Sequence, residues 1–208
     1  MRPHVYDWAW WLKAQGYVAL AVDSFSPRGI SRCRGEGTPY FKFDIAWDAI
    51  GALAYLRSLP FVDEERIGVM GWSLGAGEAL ITTNQVGPVI PKRYGDSRFR
   101  VAVAFYPPCN DLPTKPAIPI LLLLGEIDDW TPPFFCVMRA KLLQQEGRKV
   151  FWKVYPGAHH GFDQDFPSRV YLGHTLEYDG AATADSEKRV RAFLAQYLRG
   201  AKSEASAR

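Results

Sequence analysis

Short apolar runs rich in strand-forming residues alternate with stretches of helical periodicity along most of the chain, and this alternation limits the possible folds most. The runs predict strands at residues 17–23, 66–72, 100–106, 119–124 and 150–155. Between them, periodicity predicts one helix that ends at Gly16 and further helices at residues 43–58, 73–83, 133–146 and 182–198. Strands separated by helices favour a parallel sheet that is covered on both faces. We therefore predict an α/β fold with a mostly parallel sheet of about five or more strands.

The length and composition of the chain favour one domain. It has 208 residues, of which 48% are hydrophobic, and this is enough to bury one large core. Residues 200–208 are polar and follow the last predicted helix. We predict a single domain at residues 1–199 and a flexible tail at residues 200–208.

The charge pattern argues against two classes of partner. The 25 basic and 22 acidic residues are interspersed, so neither nucleic acid nor an anionic membrane is an expected partner. The longest apolar run, residues 118–125, is far too short to span a bilayer. The first residues lack the pattern of a secretory signal. The compartment stays open: cytoplasmic if the start is genuine, periplasmic or secreted if a signal is missing.

The cysteines do not have the spacing of a metal site. Cys33, Cys109 and Cys136 lack C-x-x-C or Cys/His clustering, so we expect no metal site. Three free thiols are the favoured interpretation. The alternative is one disulfide, and Cys109 and Cys136 are its candidates because both follow neighbouring predicted strands.

The stretch GWSLG at residues 71–75 places the pattern G-x-S-x-G between a predicted strand and a predicted helix. The pattern alone is weak, since it arises by chance in roughly one chain of this length in fifteen. Its position is more specific, because a serine nucleophile sits on a tight strand-to-helix turn, with glycines on both sides where a Cβ would clash. We predict that Ser73 is a nucleophile and that the backbone N–H of Leu74 binds an oxyanion. The alternative is a glycine-rich turn that contains a serine.

A serine nucleophile needs a base and an orienting acid, in the chain order nucleophile, acid, histidine. Asp128 and Asp129 directly follow a predicted buried strand, and we prefer Asp128 as the acid. The alternative use of these aspartates is a turn or a helix N-cap ahead of Thr-Pro-Pro.

The histidine base is expected after the last strand and before the last helix. The stretch YPGAHHGFD has this position, and we predict that His160 accepts the proton of Ser73 while Asp128 orients its ring. His4 precedes the nucleophile and His174 lies in the loop to the last helix, so both fit less well.

With these residues in place, the chain resembles the dienelactone hydrolase family of α/β-hydrolases over nearly its whole length. The stretches LPFVDEERIGVMGWSLGAG, GEIDDWTPP and YPGAHHGFD look like the corresponding blocks of that family. The family pattern G-x-x-D-x-x-(V/T)-P falls on Gly125, Asp128, Thr131 and Pro132, and the family histidine falls on His160. The resemblance implies a cofactor-free enzyme that cleaves small carboxylic esters or lactones through an acyl-enzyme.

The chain departs from the family pattern in two respects. The best-known members use a cysteine nucleophile where this chain has Ser73, which points to a broader carboxylic-ester hydrolase. Family members also carry a strand and an H-G-x-G-G-like turn before the block that resembles RPHVYDW, and the turn supplies a second oxyanion donor. Here that block begins at Arg2. Either the chain is an N-terminally truncated version of a longer protein, or another segment substitutes.

Substrate-binding residues are expected next to strand ends and to the three site residues. The candidates in these positions are Phe25, Arg28, Trp72, Trp130 and Phe162. The alternative is that some of these aromatic residues only pack in the core. Two other functions remain open, a peptidase of the prolyl-oligopeptidase type and an inert protein with a hydrolase fold; the oligomeric state is not predicted.

Overall fold

Four parallel strands form the central sheet, in the order β1-β2-β3-β4. A computed structural model of the chain describes residues 3–30, 41–84 and 98–199. The strands are β1 (Val69–Trp72), β2 (Ala102–Phe105), β3 (Ile120–Gly125) and β4 (Val150–Tyr155). Every residue of β2 and β3 is buried, as expected for apolar strands that are covered on both faces.

The described residues also form five α-helices, at positions close to those expected from periodicity. They are α1 (Pro3–Ala14), α2 (Phe41–Arg57), α3 (Leu74–Ile81), α4 (Pro133–Gln145) and α5 (Gly180–Leu194). A π-helical turn, Ala195–Arg199, continues α5.

Alternate residues of the strands point to opposite faces of the sheet and create two cores. Val103 and Phe105 of β2 belong to the core that also contains Trp8 of α1 and Phe193 of α5. Their neighbours Ala102 and Ala104 belong to the core formed with α3 and α4. α2 packs through Ile50 and Leu53 in a third cluster. The helices therefore cover both faces of the sheet, as the sequence predicts.

Residues 17–23 do not form the predicted strand. The segment has no assigned strand structure, and Val18, Leu20 and Val22 are 55%, 41% and 42% exposed. A strand exists only where a neighbouring strand pairs with it, and β1 pairs with β2 alone in the part of the chain that the structure describes. Residues 17–23 and β1 instead both line a cavity of about 1610 Å³ formed by the described residues. Because residues 17–23 do not pair with β1, the described sheet ends at β1 and has four strands.

A short antiparallel hairpin was not expected from the sequence. It consists of β5 (Arg169–Tyr171) and β6 (His174–Leu176). Leu172 and Gly173 connect the strands, with φ values of 52° and 85°. Positive φ at both turn residues is typical of the tight turns that join such strands, and Gly at the second position was the available signal.

The structure contains a disulfide between Cys109 and Cys136, so the favoured interpretation of three free thiols is wrong for this pair. The bond links the segment after β2 to α4, and the two Cα atoms are 5.1 Å apart. Cys33, with the rest of residues 31–40, and the predicted tail 200–208 lie outside the described residues.

The described residues contain neither a candidate membrane-spanning helix nor a candidate metal cluster. None of the described helices has both the length and the apolar character needed to cross a bilayer. Within residues 3–30, 41–84 and 98–199, no group of three or more His, Cys, Asp or Glu side chains is arranged to hold a metal ion.

Candidate active site

Ser73 lies on a strained turn between β1 and α3. Its φ and ψ are 52° and −122°, a conformation that a residue with a side chain rarely adopts and that is common at functional sites. A Cβ on Gly71 would overlap the carbonyl of Gly75, so this glycine is required for the close approach of strand and helix. A Cβ on Gly75 would meet nothing within 4 Å. The expected clash therefore exists at Gly71 and not at Gly75.

The start of α3 lies directly beside Ser73. The carbonyl oxygen of Ser73 accepts hydrogen bonds from the N–H groups of Ala76 at 2.9 Å and Gly77 at 3.1 Å. Leu74 is the first residue of the helix, so its N–H has no acceptor within α3. A helix N-terminus with such N–H groups favours negative charge nearby.

His160 connects Ser73 with Asp128. Its Nε2 atom lies 2.9 Å from Oγ of Ser73, and its Nδ1 atom lies 2.8 Å from Oδ2 of Asp128. Both His160 and Asp128 are 3% exposed, so little water competes for these hydrogen bonds. The structure thus brings together the three residues that the sequence analysis selected.

Further hydrogen bonds orient the carboxylate of Asp128. Its Oδ1 accepts from the N–H groups of Trp130 at 2.9 Å and Thr131 at 2.8 Å. The hydroxyl of Thr131 donates to Oδ2 at 2.8 Å. Asp129 points elsewhere: its carboxylate accepts from the N–H of Thr175 at 3.3 Å and lies 3.5 Å from Nδ1 of His174. Asp128 therefore has both functions: it accepts hydrogen bonds from the backbone of the following turn, and it contacts His160.

Three of the five substrate-binding candidates line the cavity next to Ser73 and His160. They are Phe25, Trp72 and Trp130. The Trp130 ring lies 5.0 Å from the His160 ring and stacks on His174 at 4.8 Å.

The other two candidates lie elsewhere. Arg28 binds Asp48 through two hydrogen bonds of 2.6 and 2.9 Å and is not among the residues that line the cavity. Phe162 is fully buried and packs against Phe105, Tyr106 and Tyr155, which leaves no surface for a substrate. Phe162 therefore fits the alternative interpretation, in which some of these aromatic residues only pack in the core.

A buried carboxylate near the site, Asp163, escaped the sequence analysis. It accepts hydrogen bonds from the side chains of Trp8, Trp72 and Tyr106. Burial raises the pKa of Asp163 above its ordinary value, and these three donors act against that rise. Burial and the nearby Asp163 carboxylate raise the pKa of Tyr106 well above its ordinary value, so its hydroxyl keeps its proton as a donor. The available signal was an acidic residue three positions after the predicted base.

Comparisons with known proteins place these features in a family. The sequence profile of the dienelactone hydrolase family matches residues 2–198. A protein of Bradyrhizobium sp. described as a "probable 2-oxo-3-(5-oxofuran-2-ylidene)propanoate lactonase" is 26% identical over 185 residues, which cover 80% of this chain and 70% of that protein.

Solved structures show the same fold at low sequence identity. The apo form of Thermogutta terrifontis esterase 2 has a TM-score of 0.57 at 20% identity, and the match covers 74% of this chain and 65% of the esterase. Porphyromonas gingivalis dipeptidyl peptidase 4 has a TM-score of 0.54 at 19% identity, over 76% of this chain and 23% of the peptidase. These similarities confirm the α/β-hydrolase fold class, and the chain spans just under two thirds of the length of the esterase.

The family match extends over nearly all of the chain, and the fold agrees with it. The chain therefore belongs to the dienelactone hydrolase family.

Proposed function

We propose that this chain hydrolyses small carboxylic esters or lactones through an acyl-enzyme formed on Ser73. The observation that carries the proposal is the continuous hydrogen-bonded path from Oγ of Ser73 through His160 to Asp128, with distances of 2.9 and 2.8 Å. A hydroxyl held 2.9 Å from an imidazole nitrogen can lose its proton to that nitrogen as it attacks a carbonyl carbon. The reaction needs no metal or cofactor.

Each step of the proposed reaction uses a group at a stated position. Oγ of Ser73 attacks the ester carbonyl while Nε2 of His160 takes its proton, and the carbonyl oxygen becomes an oxyanion near the N–H of Leu74. His160 then returns the proton to the leaving alcohol, which leaves an acyl group on Ser73. A water molecule, deprotonated by the same nitrogen, then attacks the acyl carbon; the bond to Oγ of Ser73 breaks, Oγ takes the proton back from His160, and the acid is released. Asp128 stabilises the imidazolium that forms in both halves.

Relatives with bound molecules support the substrate class. Thermogutta terrifontis esterase 2 has been solved with propionate and with butyrate bound, and both are short acids that ester hydrolysis would release. It has also been solved phosphorylated by paraoxon, which is consistent with a reactive nucleophile in that protein. The Bradyrhizobium relative is described as a lactonase, and a lactone is a cyclic ester.

The proposal assigns one oxyanion donor, the N–H of Leu74. The family resemblance implies a second donor from a turn that precedes the block beginning at Arg2. We assign no second donor among residues 3–30, 41–84 and 98–199. A site with one donor is expected to turn over about 10²- to 10³-fold more slowly than the same site with two.

The experiment combines a fluorophosphonate probe with hydrolysis of p-nitrophenyl acetate and butyrate. We expect the folded protein to be labelled at Ser73 and to hydrolyse both esters. Ser73→Ala should lose labelling and hydrolysis, while Ser58→Ala, which changes a serine at the end of α2, should keep both. Equal activity of Ser73→Ala and the parent would refute the proposal. A folded chain that is neither labelled nor active would favour an inert protein, and cleavage of peptide substrates alone would favour a peptidase.

A further inference from the structure

We infer that Asp163 is a positioning residue that holds the segments carrying Ser73 and His160 in register with each other. The inference rests on the proposed function for the reaction it supports. Its basis is a set of hydrogen bonds that connects three separate elements of the fold to one buried carboxylate.

The carboxylate of Asp163 accepts three side-chain hydrogen bonds. Oδ2 accepts from Nε1 of Trp8 at 2.8 Å and from Nε1 of Trp72 at 2.7 Å, and Oδ1 accepts from the hydroxyl of Tyr106 at 2.6 Å. Trp8 belongs to α1, Trp72 ends β1 and Tyr106 directly follows β2. One side chain therefore joins a helix to the carboxyl ends of two neighbouring strands.

Two of these three bonds, those of Trp72 and Tyr106, lead to residues of the proposed reaction. Trp72 immediately precedes Ser73, so its indole determines where the end of β1 lies. Asp163 itself follows His160 by three residues, so anchoring the carboxylate also anchors the histidine segment. The hydrogen bond between Trp72 and Asp163 therefore links the segment that carries Ser73 to the segment that carries His160.

A second set of contacts connects Asp163 to Asp128, through Tyr106 and Thr131. Oγ1 of Thr131, which donates its proton to Oδ2 of Asp128 at 2.8 Å, also lies 3.0 Å from the backbone carbonyl oxygen of Tyr106 and 3.2 Å from Nδ1 of His160. Tyr106 has a φ of 37°, a strained conformation for a residue with a side chain, and its ring centroid lies 4.6 Å from that of His160. The bond from its hydroxyl to Asp163 helps to hold Tyr106 in this conformation against the ring of His160.

A packing role alone does not explain a carboxylate at this position. Asp163 is 7% exposed, while Trp8 and Tyr106 are 5% and 0% exposed. Removing a carboxylate from water is costly, and apolar side chains in place of Asp163 and its three donors would fill the same space without that cost. A carboxylate differs from an apolar side chain because its two oxygens can accept hydrogen bonds from several donors in defined directions. This favours a role in geometry over a role in stability.

The substitution Asp163→Asn keeps the shape of the side chain and removes part of this acceptance. The amide oxygen can still accept from the two indoles, but an NH₂ group then faces the hydroxyl of Tyr106 and cannot accept from it. We expect kcat to fall about 10- to 100-fold, because misplacing reacting groups by a fraction of an ångström to 1 Å has effects of this size. KM should change less than threefold, because Asp163 does not line the cavity.

The experiment measures kcat, KM and the rate of fluorophosphonate labelling for Asp163→Asn, Trp72→Phe and Tyr106→Phe. Val190→Ala is the matched control, since it opens a space in the same core, on α5, without touching the site. The NMR signals of the indole N–H groups of Trp8 and Trp72 should shift upfield in Asp163→Asn. This measurement does not depend on catalysis.

The outcomes separate this inference from the proposed function. A fall in kcat and in labelling rate in Asp163→Asn, Trp72→Phe and Tyr106→Phe, with a constant KM in the Asp163 and Tyr106 variants, whose residues do not line the cavity, and unchanged kinetics in Val190→Ala, would support it. A folded Asp163→Asn protein with parental kcat, or an equal loss in Val190→Ala, would overturn it while Ser73→Ala still tests the nucleophile. If Asp163→Asn does not fold, Trp72→Phe and Tyr106→Phe decide: parental kcat in both overturns the inference, and a lowered kcat in both, at constant KM in Tyr106→Phe, supports it.

Discussion

Gly71 approaches Gly75 so closely that a Cβ on Gly71 would overlap the carbonyl group of Gly75. The relationship is not symmetric, because a Cβ on Gly75 would point into open space. The two glycines that flank Ser73 in the sequence pattern therefore have different physical roles. Gly71 permits β1 and α3 to meet, and Gly75 is a residue of the first turn of α3.

Substitutions at the two glycines are expected to have opposite effects. Gly71→Ala should displace the turn, lower the free energy of unfolding by about 2 kcal/mol or more and abolish fluorophosphonate labelling. Gly75→Ala should fold normally and can gain up to about 1 kcal/mol, because alanine favours a helix over glycine. Urea denaturation and probe labelling of both variants check this. Equal effects of the two substitutions would contradict the structure.

The neighbouring aspartates offer a second matched pair. Asp128→Asn should lower kcat about 10⁴-fold, because an amide can stabilise the wrong tautomer of His160 and cannot balance the charge of an imidazolium. Asp129→Asn should change kcat less than about threefold, since this side chain contacts the hairpin at Thr175 and His174. Steady-state hydrolysis of p-nitrophenyl butyrate distinguishes the two. A larger loss in the Asp129 variant would exchange the proposed roles.

The sequence predicts those parts of the fold in which local pattern and tertiary contact agree. The four sheet strands and all five helices lie within a few residues of their expected positions, because each has a neighbour that buries its apolar face. Residues 17–23 have the pattern of a strand, but none of the described strands pairs with them. The hydrophobic pattern of a segment indicates that its residues favour a strand, but it does not indicate whether a second strand lies beside the segment.

The same reasoning explains which site residues could be predicted. Ser73, Asp128 and His160 follow strand ends, and parallel strands bring such positions to one edge of the sheet. Asp163 could not be selected this way, because its three partners lie up to 155 positions away along the chain. Arg28 is a candidate because it follows the end of a predicted strand, yet its contact with Asp48 depends on how the segment after residue 23 packs against α2.

The disulfide between Cys109 and Cys136 should stabilise the protein measurably. It closes a loop with a sequence separation of 27 residues, for which the loss of chain entropy in the unfolded state corresponds to about 3 to 4 kcal/mol. Cys136→Ser should lower the free energy of unfolding by up to this amount, and Cys33→Ser serves as the control. Mass spectrometry of alkylated, non-reduced protein should find one free thiol per chain. Three alkylated thiols would contradict the bond.

Because Arg28 and Asp48 form an ion pair, we expect the free energy of unfolding to depend on pH through Asp48. We also expect substitution of Arg28 to leave catalysis unchanged. Partial burial alone would raise the pKa of Asp48, but the hydrogen bonds and charge of Arg28 outweigh it and hold this pKa below its ordinary value. The pair therefore stabilises the fold above the pKa of an unfolded aspartate, about 3.9, and loses this contribution as the pH falls through the lower folded value. Asp48→Asn should cost about 0.5 to 1 kcal/mol at pH 6 and less at pH 3.

Urea denaturation of the parent and Asp48→Asn at the two pH values measures this difference, and Asp7→Asn in α1 is the control for an exposed aspartate. A difference that stays constant or grows as the pH falls would contradict the sign of the shift. Arg28→Met should lose the same stability at pH 6 while KM for p-nitrophenyl butyrate stays within about twofold, because Arg28 binds Asp48 and does not line the cavity. A large rise in KM would restore Arg28 as a substrate-binding residue.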